Sequence, residues 1–218
     1  MRHFHPSSPS ASAPQTSGIV LHGATMYERT TGPLLSRTDA GLIRLAGIKP
    51  GMAVLEAGCG PGRLSIEASK VSGPTGRVCG LDASPEMIDL ARTRARKAGV
   101  EVEFTLGVIE KLPYPDETFD VVLSRLVIHH LPGDLKRQGF AEMRRVLKPG
   151  GQCLIIDFDP TRTFLVRAAN KLRLLPFPAP MRQINPRAYL ALLTEAGFKE
   201  VESGPSGYPL LSYVRGKR

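Results

Sequence analysis

The chain has 218 residues, 42% hydrophobic and 22% charged, values that suit one globular domain and exclude a wholly disordered or fibrous protein. No apolar run approaches the roughly 18 residues that cross a bilayer, and the opening MRHFHPSSPSASAPQTSG lacks the apolar stretch of a secretory signal. The formal net charge of +9 belongs to the last quarter: residues 161–218 hold 10 basic and 3 acidic side chains, while residues 26–160 hold 18 and 17. Such a basic patch attracts phosphate, carboxylate or an anionic membrane, or simply keeps a surface solvated.

Residues 1–24 are rich in Ser, Pro, Ala and His. They hold too little apolar surface to offset ordering entropy, so a disordered tail is expected, with a domain over 25–218. From Leu34 the spacing of Leu34, Leu35, Thr38, Leu42 and Leu45 predicts a helix ending near Gly47. MAVLEAG (52–58) reads as a buried strand, followed by the glycine turn GCGPG (58–62) and a helix from Arg63 to about Val71. RVCGLD (77–82) is a second strand. Ser84 then caps a helix whose first residue is Pro85 and which Gly99 ends. Val100–Leu106 and FDVVLS (119–124) are further strands, and a helix is expected over 134–147. Pro149-Gly150-Gly151 turns into the strand QCLIIDF (152–158). A basic segment, a helix over about 186–196, and closing strands at 199–203 and 210–214 complete the chain.

Strands alternating with helices at this spacing build βαβ units. The expected fold is α/β: a Rossmann-like, doubly wound, mostly parallel seven-stranded sheet with helices on both faces. Right-handed crossovers set the strand C-termini along one edge, and a ligand binds where the strand order reverses.

Gly58, Gly60 and Gly62 let backbone approach a ligand closely, and the main-chain amides of 58–62 and the following helix N-terminus are expected to offer N–H groups to it. Asp82 ends the second strand, 20 residues beyond Gly62, where a carboxylate accepts from both hydroxyls of a ribose. The nicotinamide and flavin pattern G-x-G-x-x-G/A is not met, because Arg63 stands where a small third residue belongs. Three cysteines, Cys59, Cys79 and Cys153, are too few and too scattered for a disulfide framework or a zinc site. No metal is expected, and a reducing cytoplasm is the simplest setting.

EAGCGPG (56–62), LDASPEM (81–87), LPYPDETFDVV (112–122) and LKPGGQCLIID (147–157) together resemble four ordered motifs of the class I S-adenosylmethionine-dependent methyltransferases. The likeness is to the small-molecule and lipid-directed branch with its ubiquinone/menaquinone-type members. It covers residues 34–158 well and 186–214 weakly. It implies S-adenosylmethionine as cofactor, with Glu56, Gly58, Cys59, Gly60 and Gly62 around its methionine part, Asp82 on the ribose, and Ala83 and Met87 flanking adenine. Val108 and Ile109 would meet the adenine edge, and Arg125 would bound the amino end. Tyr27 falls where relatives close a lid over the cofactor.

Two departures stand out. Relatives read Gly-Asp-Ala-Glu where this chain reads Gly107-Val108-Ile109-Glu110, so Val108 replaces the carboxylate that takes the adenine amino hydrogen. Losing such a bond weakens binding by about 0.5–1.5 kcal/mol. Quinone-type enzymes carry Arg-Asn after strand four, where Ile128-His129 stands here, which argues against a quinone ring as acceptor.

Methyl transfer from a sulfonium is an in-line displacement, and alignment alone supplies roughly 7–11 kcal/mol. His129 is the candidate base where the acceptor must lose a proton, beside a structural role for the same residue, and Tyr27 the candidate ring over the sulfonium. Residues 159–187 are expected to form a basic cap shaping the site of a small-molecule or lipid-like acceptor, with 162–175 as a surface for peripheral contact with anionic membrane. A nucleic-acid or protein methyltransferase and a non-catalytic cofactor-binding relative are the alternatives. Nucleic acid is not an expected partner, since no base-amine triad, Pro-Cys nucleophile or appended module is present.

Overall fold

A computed structural model describes residues 16, 18, 39–161, 164–172, 184–208 and 210–218. The strands and helices come in the expected order: α1 (Asp39–Leu45), β1 (Ala53–Ala57), α2 (Arg63–Ser72), β2 (Arg77–Asp82), α3 (Pro85–Ala98), β3 (Glu103–Leu106) and β4 (Phe119–Arg125). A 3-10 turn (Ile128–His130), α4 (Gly133–Val146) and β5 (Leu147–Phe158) follow. The chain closes with α5 (Phe164–Lys171), α6 (Ala188–Glu195), β6 (Lys199–Pro205) and β7 (Leu211–Lys217). They form one seven-stranded sheet in the order β3-β2-β1-β4-β5-β7-β6, parallel except for β7, which runs antiparallel to both neighbours. The doubly wound fold predicted from the sequence is therefore present.

The strands are nearly continuous apolar runs because helices cover both faces. On one face Leu55, Val122, Cys153 and Ile155 pack with Phe140, Met143, Tyr189 and Leu193 of α4 and α6. On the other, Val54, Leu123, Leu154 and Ile156 meet Leu42 and Ile43 of α1 and Leu64 and Ala68 of α2. The period-two alternation thus sends alternate apolar residues of β1, β4 and β5 to one or other of these two cores.

Helix α3 begins and ends as its sequence dictates. The Ser84 hydroxyl accepts from the Met87 N–H at 3.4 Å, and Gly99 closes the helix at φ 66°. Several boundaries differ from expectation, three of them for a clear reason. Strand β3 starts at Glu103, not Val100, since only Glu103–Leu106 finds partners on β2. Strand β5 starts at Leu147 and runs through Pro149-Gly150-Gly151, which the sequence marks as a turn; Leu147 pairs with Phe119 before a register shift lets Gln152 pair with Val121. Strand β7 runs to Lys217 because its antiparallel ladder with β5 continues to Gln152. Most of the 1–24 tail, Tyr27 and residues 162–163 and 173–183 of the basic segment lie outside the described residues.

The strand order reverses between β1 and β4, whose C-terminal ends lie side by side (Glu56 pairs with Leu123). A crevice opens there, at the position expected for a ligand.

Gly62 is a steric keystone of this edge. Its φ is 76°, and an added Cβ would lie 2.8 Å from Ala91 Cβ and from the Phe104 ring. Gly62→Ala combines left-handed strain with overpacking and should lose about 2–4 kcal/mol of unfolding free energy. A urea titration measures this; a loss below 1 kcal/mol would show that the turn can move aside.

Candidate cofactor site

The crevice is lined by the glycine turn, Glu56, Leu81–Ala83, Met87, Gly107–Glu110, Arg125–Val127, His130 and Leu131, with Thr16 and Gly18 at its margin. Every residue that the sequence assigned to cofactor contact lines it except Gly62, which lies behind the turn against Ala91 and Phe104. His129 does not line it; its neighbour His130 does.

The turn works differently from the expectation of free amides. Gly58 and Cys59 both donate their N–H to the Leu81 carbonyl, at 2.7 and 2.9 Å. Gly60 N–H donates to Asp82 Oδ2 at 2.7 Å, Gly62 N–H to the Cys59 carbonyl at 3.0 Å, and Pro61 has no N–H. The amides of 58–62 are therefore spent inside the protein, and a free-amide cradle is not what this loop presents. Its glycines serve close approach instead. A Cβ at Gly58 would run into Val127 at 2.6 Å, whereas one at Gly60 would meet nothing within 4 Å.

Asp82 is consequently a fixed group. Oδ2 accepts from Gly60 and Oδ1 from the Ser84 N–H at 2.9 Å, leaving lone pairs on each oxygen for a ligand. Burial raises its pKa, and the backbone bonds oppose that rise. Both features suit a carboxylate that accepts from hydroxyl groups.

Glu56, at the end of β1, is 2% exposed. Its Oε2 accepts from the Ser65 hydroxyl at 2.5 Å, which ties the carboxyl to the first turn of α2. Burial pushes its pKa up to about 7, against the pull of the nearby Arg125 guanidinium. Arg125 is held by Asp39 of α1, which is 4% exposed, and Arg63 Nε lies 3.8 Å from the same carboxylate. The Asp39–Arg125 pair ties α1 to the end of β4 beside the crevice. Sequence reasoning missed Asp39: it lies 86 residues from its partner and belongs to no motif. Arg125, assigned from the sequence to the amino end of the cofactor, lines the crevice and is paired with Asp39.

The opposite wall is apolar. Met87 is buried at the start of α3, and Ile109 packs toward Gly139 of α4. Val108 makes an isolated bridge with Lys111, and Glu110 lines the crevice and accepts from the Thr16 hydroxyl at 2.5 Å. Leu126, between Arg125 and Val127, has φ 58°, local strain of the kind stored at binding sites. All three cysteines are buried and free, and burial raises each thiol pKa. Among the described residues no three His, Cys, Asp or Glu side chains stand together as a metal site.

An apolar wall, a fixed carboxylate and a buried acid beside the glycine turn could hold a nucleoside with a charged tail. The residues present fit S-adenosylmethionine: Met87 and Ile109 could flank adenine, Asp82 could accept from the ribose, and Glu56 and Arg125 could meet the amino-acid part. Comparisons with known proteins agree. Residues 48–197 match the family model described as "Methyltransferase domain". The chain is 37% identical over 174 residues to an arsenite methyltransferase of Halobacterium salinarum, covering 73% of this chain and 40% of that protein. It is also 37% identical over 129 residues to a ubiquinone/menaquinone biosynthesis C-methyltransferase of Pseudomonas putida, covering 58% and 50%. The chain thus spans half or less of these curated relatives. The crystal structure of a SAM-dependent methyltransferase from Aquifex aeolicus superposes with a TM-score of 0.72 over 90% of this chain and 99% of that one, at 23% identity. The chain belongs to the methyltransferase-domain family, of the class I S-adenosylmethionine-dependent type.

The state of Glu56 predicts a stability signature. Its carboxyl has a folded pKa of about 7 against an ordinary 4.5. A raised pKa means that the folded chain binds the proton more tightly. The contribution is full below pH 4.5 and is lost as pH rises to 7, amounting to on the order of 3 kcal/mol. Glu56→Gln should therefore gain stability relative to wild type over that window, measured by denaturant titration at pH 4.5, 6 and 8. An unchanged difference at all three would show that folding does not raise the Glu56 pKa above its ordinary value.

Proposed function

We propose that the chain transfers a methyl group from S-adenosylmethionine to a small-molecule or lipid-like acceptor. The observation that carries this reading is Asp82, held by Gly60 and Ser84 N–H groups with acceptor capacity left toward an otherwise apolar slot. The arsenite and quinone-precursor activities in the relatives' names support a small acceptor, at 37% identity over part of their length. Ile128-His129 argues against the quinone ring itself.

When bound, S-adenosylmethionine supplies a methyl carbon on a cationic sulfur. The chain's own work is alignment and exclusion of water. Asp82 would accept from the ribose hydroxyls. Met87 and Ile109 would enclose the adenine, whose amino group loses the usual carboxylate partner at Val108. Glu56 and Arg125 would face the methionine carboxylate and ammonium with one charge of each sign. The glycine turn, free of side chains at Gly60, would let the sulfur pass close to the main chain. A dinucleotide is disfavoured by Arg63, directed toward Asp39 at the start of α2.

We assign the acceptor side to residues 159–187, of which 159–161, 164–172 and 184–187 are described. Helix α5 carries exposed Arg167 and Lys171, and Leu172 is 68% exposed beside them. Basic and apolar groups side by side support contact with a lipid-like acceptor or an anionic membrane surface. No helix among the described residues is long and apolar enough to cross a membrane. Three buried free thiols suit a cytoplasmic setting.

Two measurements test this reading. Calorimetry should detect S-adenosylmethionine and its demethylated product but not a dinucleotide. Asp82→Ala should weaken that binding by about 10-fold or more, and Val108→Asp should strengthen it about 2- to 10-fold. No heat with either nucleoside ligand would end the proposal. Co-sedimentation with vesicles containing phosphatidylglycerol should retain wild type and release Arg167→Glu/Lys171→Glu. Equal behaviour of the two proteins would remove the membrane contact while leaving the transfer reaction intact.

A further inference from the structure

After β3 the chain brings a carboxylate to the crevice beside the position where Val108 supplies none. The Gly107 N–H donates to the Asp82 carbonyl at 2.9 Å, which suspends the following loop from the end of β2. The Lys111 N–H then donates to the Val108 carbonyl at 3.2 Å and closes a tight turn whose third residue is Glu110. Ile109 is buried, and a Cβ at Gly139 would lie 2.9 Å from its Cγ2, so it anchors the turn against α4. Glu110 is left half-buried in the lining of the crevice.

One oxygen of this carboxylate is already fixed. Thr16, 94 residues away in the chain, donates its hydroxyl proton to Oε1 at 2.5 Å. The Thr16 oxygen in turn accepts from the Gly18 N–H at 3.0 Å, so its single proton is committed to Glu110. The second oxygen, Oε2, accepts from no described residue, and no described Lys or Arg forms an ion pair with Glu110. A carboxylate in a largely apolar lining, without a cation, loses hydration when a ligand enters unless that ligand brings a donor. Since a carboxylate only accepts, the ligand group opposite it must carry an N–H or O–H bond.

Elimination points to one such group. In the cofactor reading the ribose hydroxyls are met by Asp82, and the amino-acid part by Glu56 and Arg125. The exocyclic amino group of adenine is the nucleoside's remaining donor, and the Val108 side chain offers it no acceptor. Met87 and Ile109, the residues that flank adenine in that reading, line the same crevice as Glu110 and Thr16. Resting on that reading, we propose that Glu110 selects the adenine base by accepting from its amino group, in place of the carboxylate absent at position 108, and that Thr16 is its positioning residue. The amino group has two N–H bonds, so the contact expected from Val108→Asp adds to this one and does not displace it. Thr16, far outside the motifs, thereby takes part in choosing the cofactor.

The test is calorimetry on the full chain with S-adenosylhomocysteine and with its 6-deamino analogue, in which hydrogen replaces the amino group. Wild type should bind the parent compound about 10-fold or more tightly than the analogue. Glu110→Met, which keeps the side-chain length without an oxygen, should bring the two ligands within about twofold, weakening the parent and leaving the analogue unchanged. Thr16→Val should give an intermediate ratio, about 3-fold, because the carboxylate remains but is less well held. The wild-type and Thr16→Val ratios stand however Glu110→Met folds. A purely structural role for Glu110 would weaken both ligands alike and leave the ratio intact, and that result would overturn the proposal. So would a wild type that binds both ligands equally well, or a Thr16→Val protein with the full wild-type ratio. Failure of wild type to bind either ligand would instead sink the cofactor reading.

Discussion

The site depends on how the glycine turn is fastened to the end of β2. Gly58 and Cys59 donate to the Leu81 carbonyl, and Gly60 donates to the Asp82 side chain. Those three bonds fix the loop, the carboxylate and the edge of the crevice in one operation. A buried amide or carboxylate left unpaired costs free energy, so the two halves of the motif satisfy each other. The carboxylate is then already oriented before a ligand arrives, which spares the entropy of ordering it on binding.

Polar groups brought together by the sheet are tied on either side of this anchor. On one side Asp39 holds Arg125, and Glu56 caps α2 through Ser65. On the other Asp157 gathers His129 and Tyr189. Each uses the C-terminal end of a strand, β4 for Arg125, β1 for Glu56 and β5 for Asp157. Carboxyl groups can remain in these buried places because helices α2 and α6 and the turn after β4 bring donors to them. The apolar strand interiors, packed on both faces, supply the rigidity that keeps those ends in register.

Much of this was legible locally. The glycine spacing, the carboxylate 20 residues on, and Ser84-Pro85 before an apolar run all act over short stretches, where backbone sterics and capping dominate. Boundaries were less legible where pairing decides: β3 begins late because only Glu103–Leu106 meets β2, and β5 absorbs Pro149-Gly150-Gly151 because β4 continues beside it. The amides of the glycine turn were misjudged for a similar reason. Sequence shows that they exist, but whether a ligand or the neighbouring strand receives them is a question of three-dimensional proximity.

What the residues determined alone was the succession of strands and helices and which residues, Asp82 among them, line the crevice, because these follow from periodicity and from short-range spacing. What only the folded chain decided was which distant groups meet: Asp39 with Arg125, 86 positions apart, and Asp157 with Tyr189, 32 apart. No local rule pairs such residues. Their partnership is set by strand order and helix packing, which bring buried charges and donors together so that neither is left without a partner.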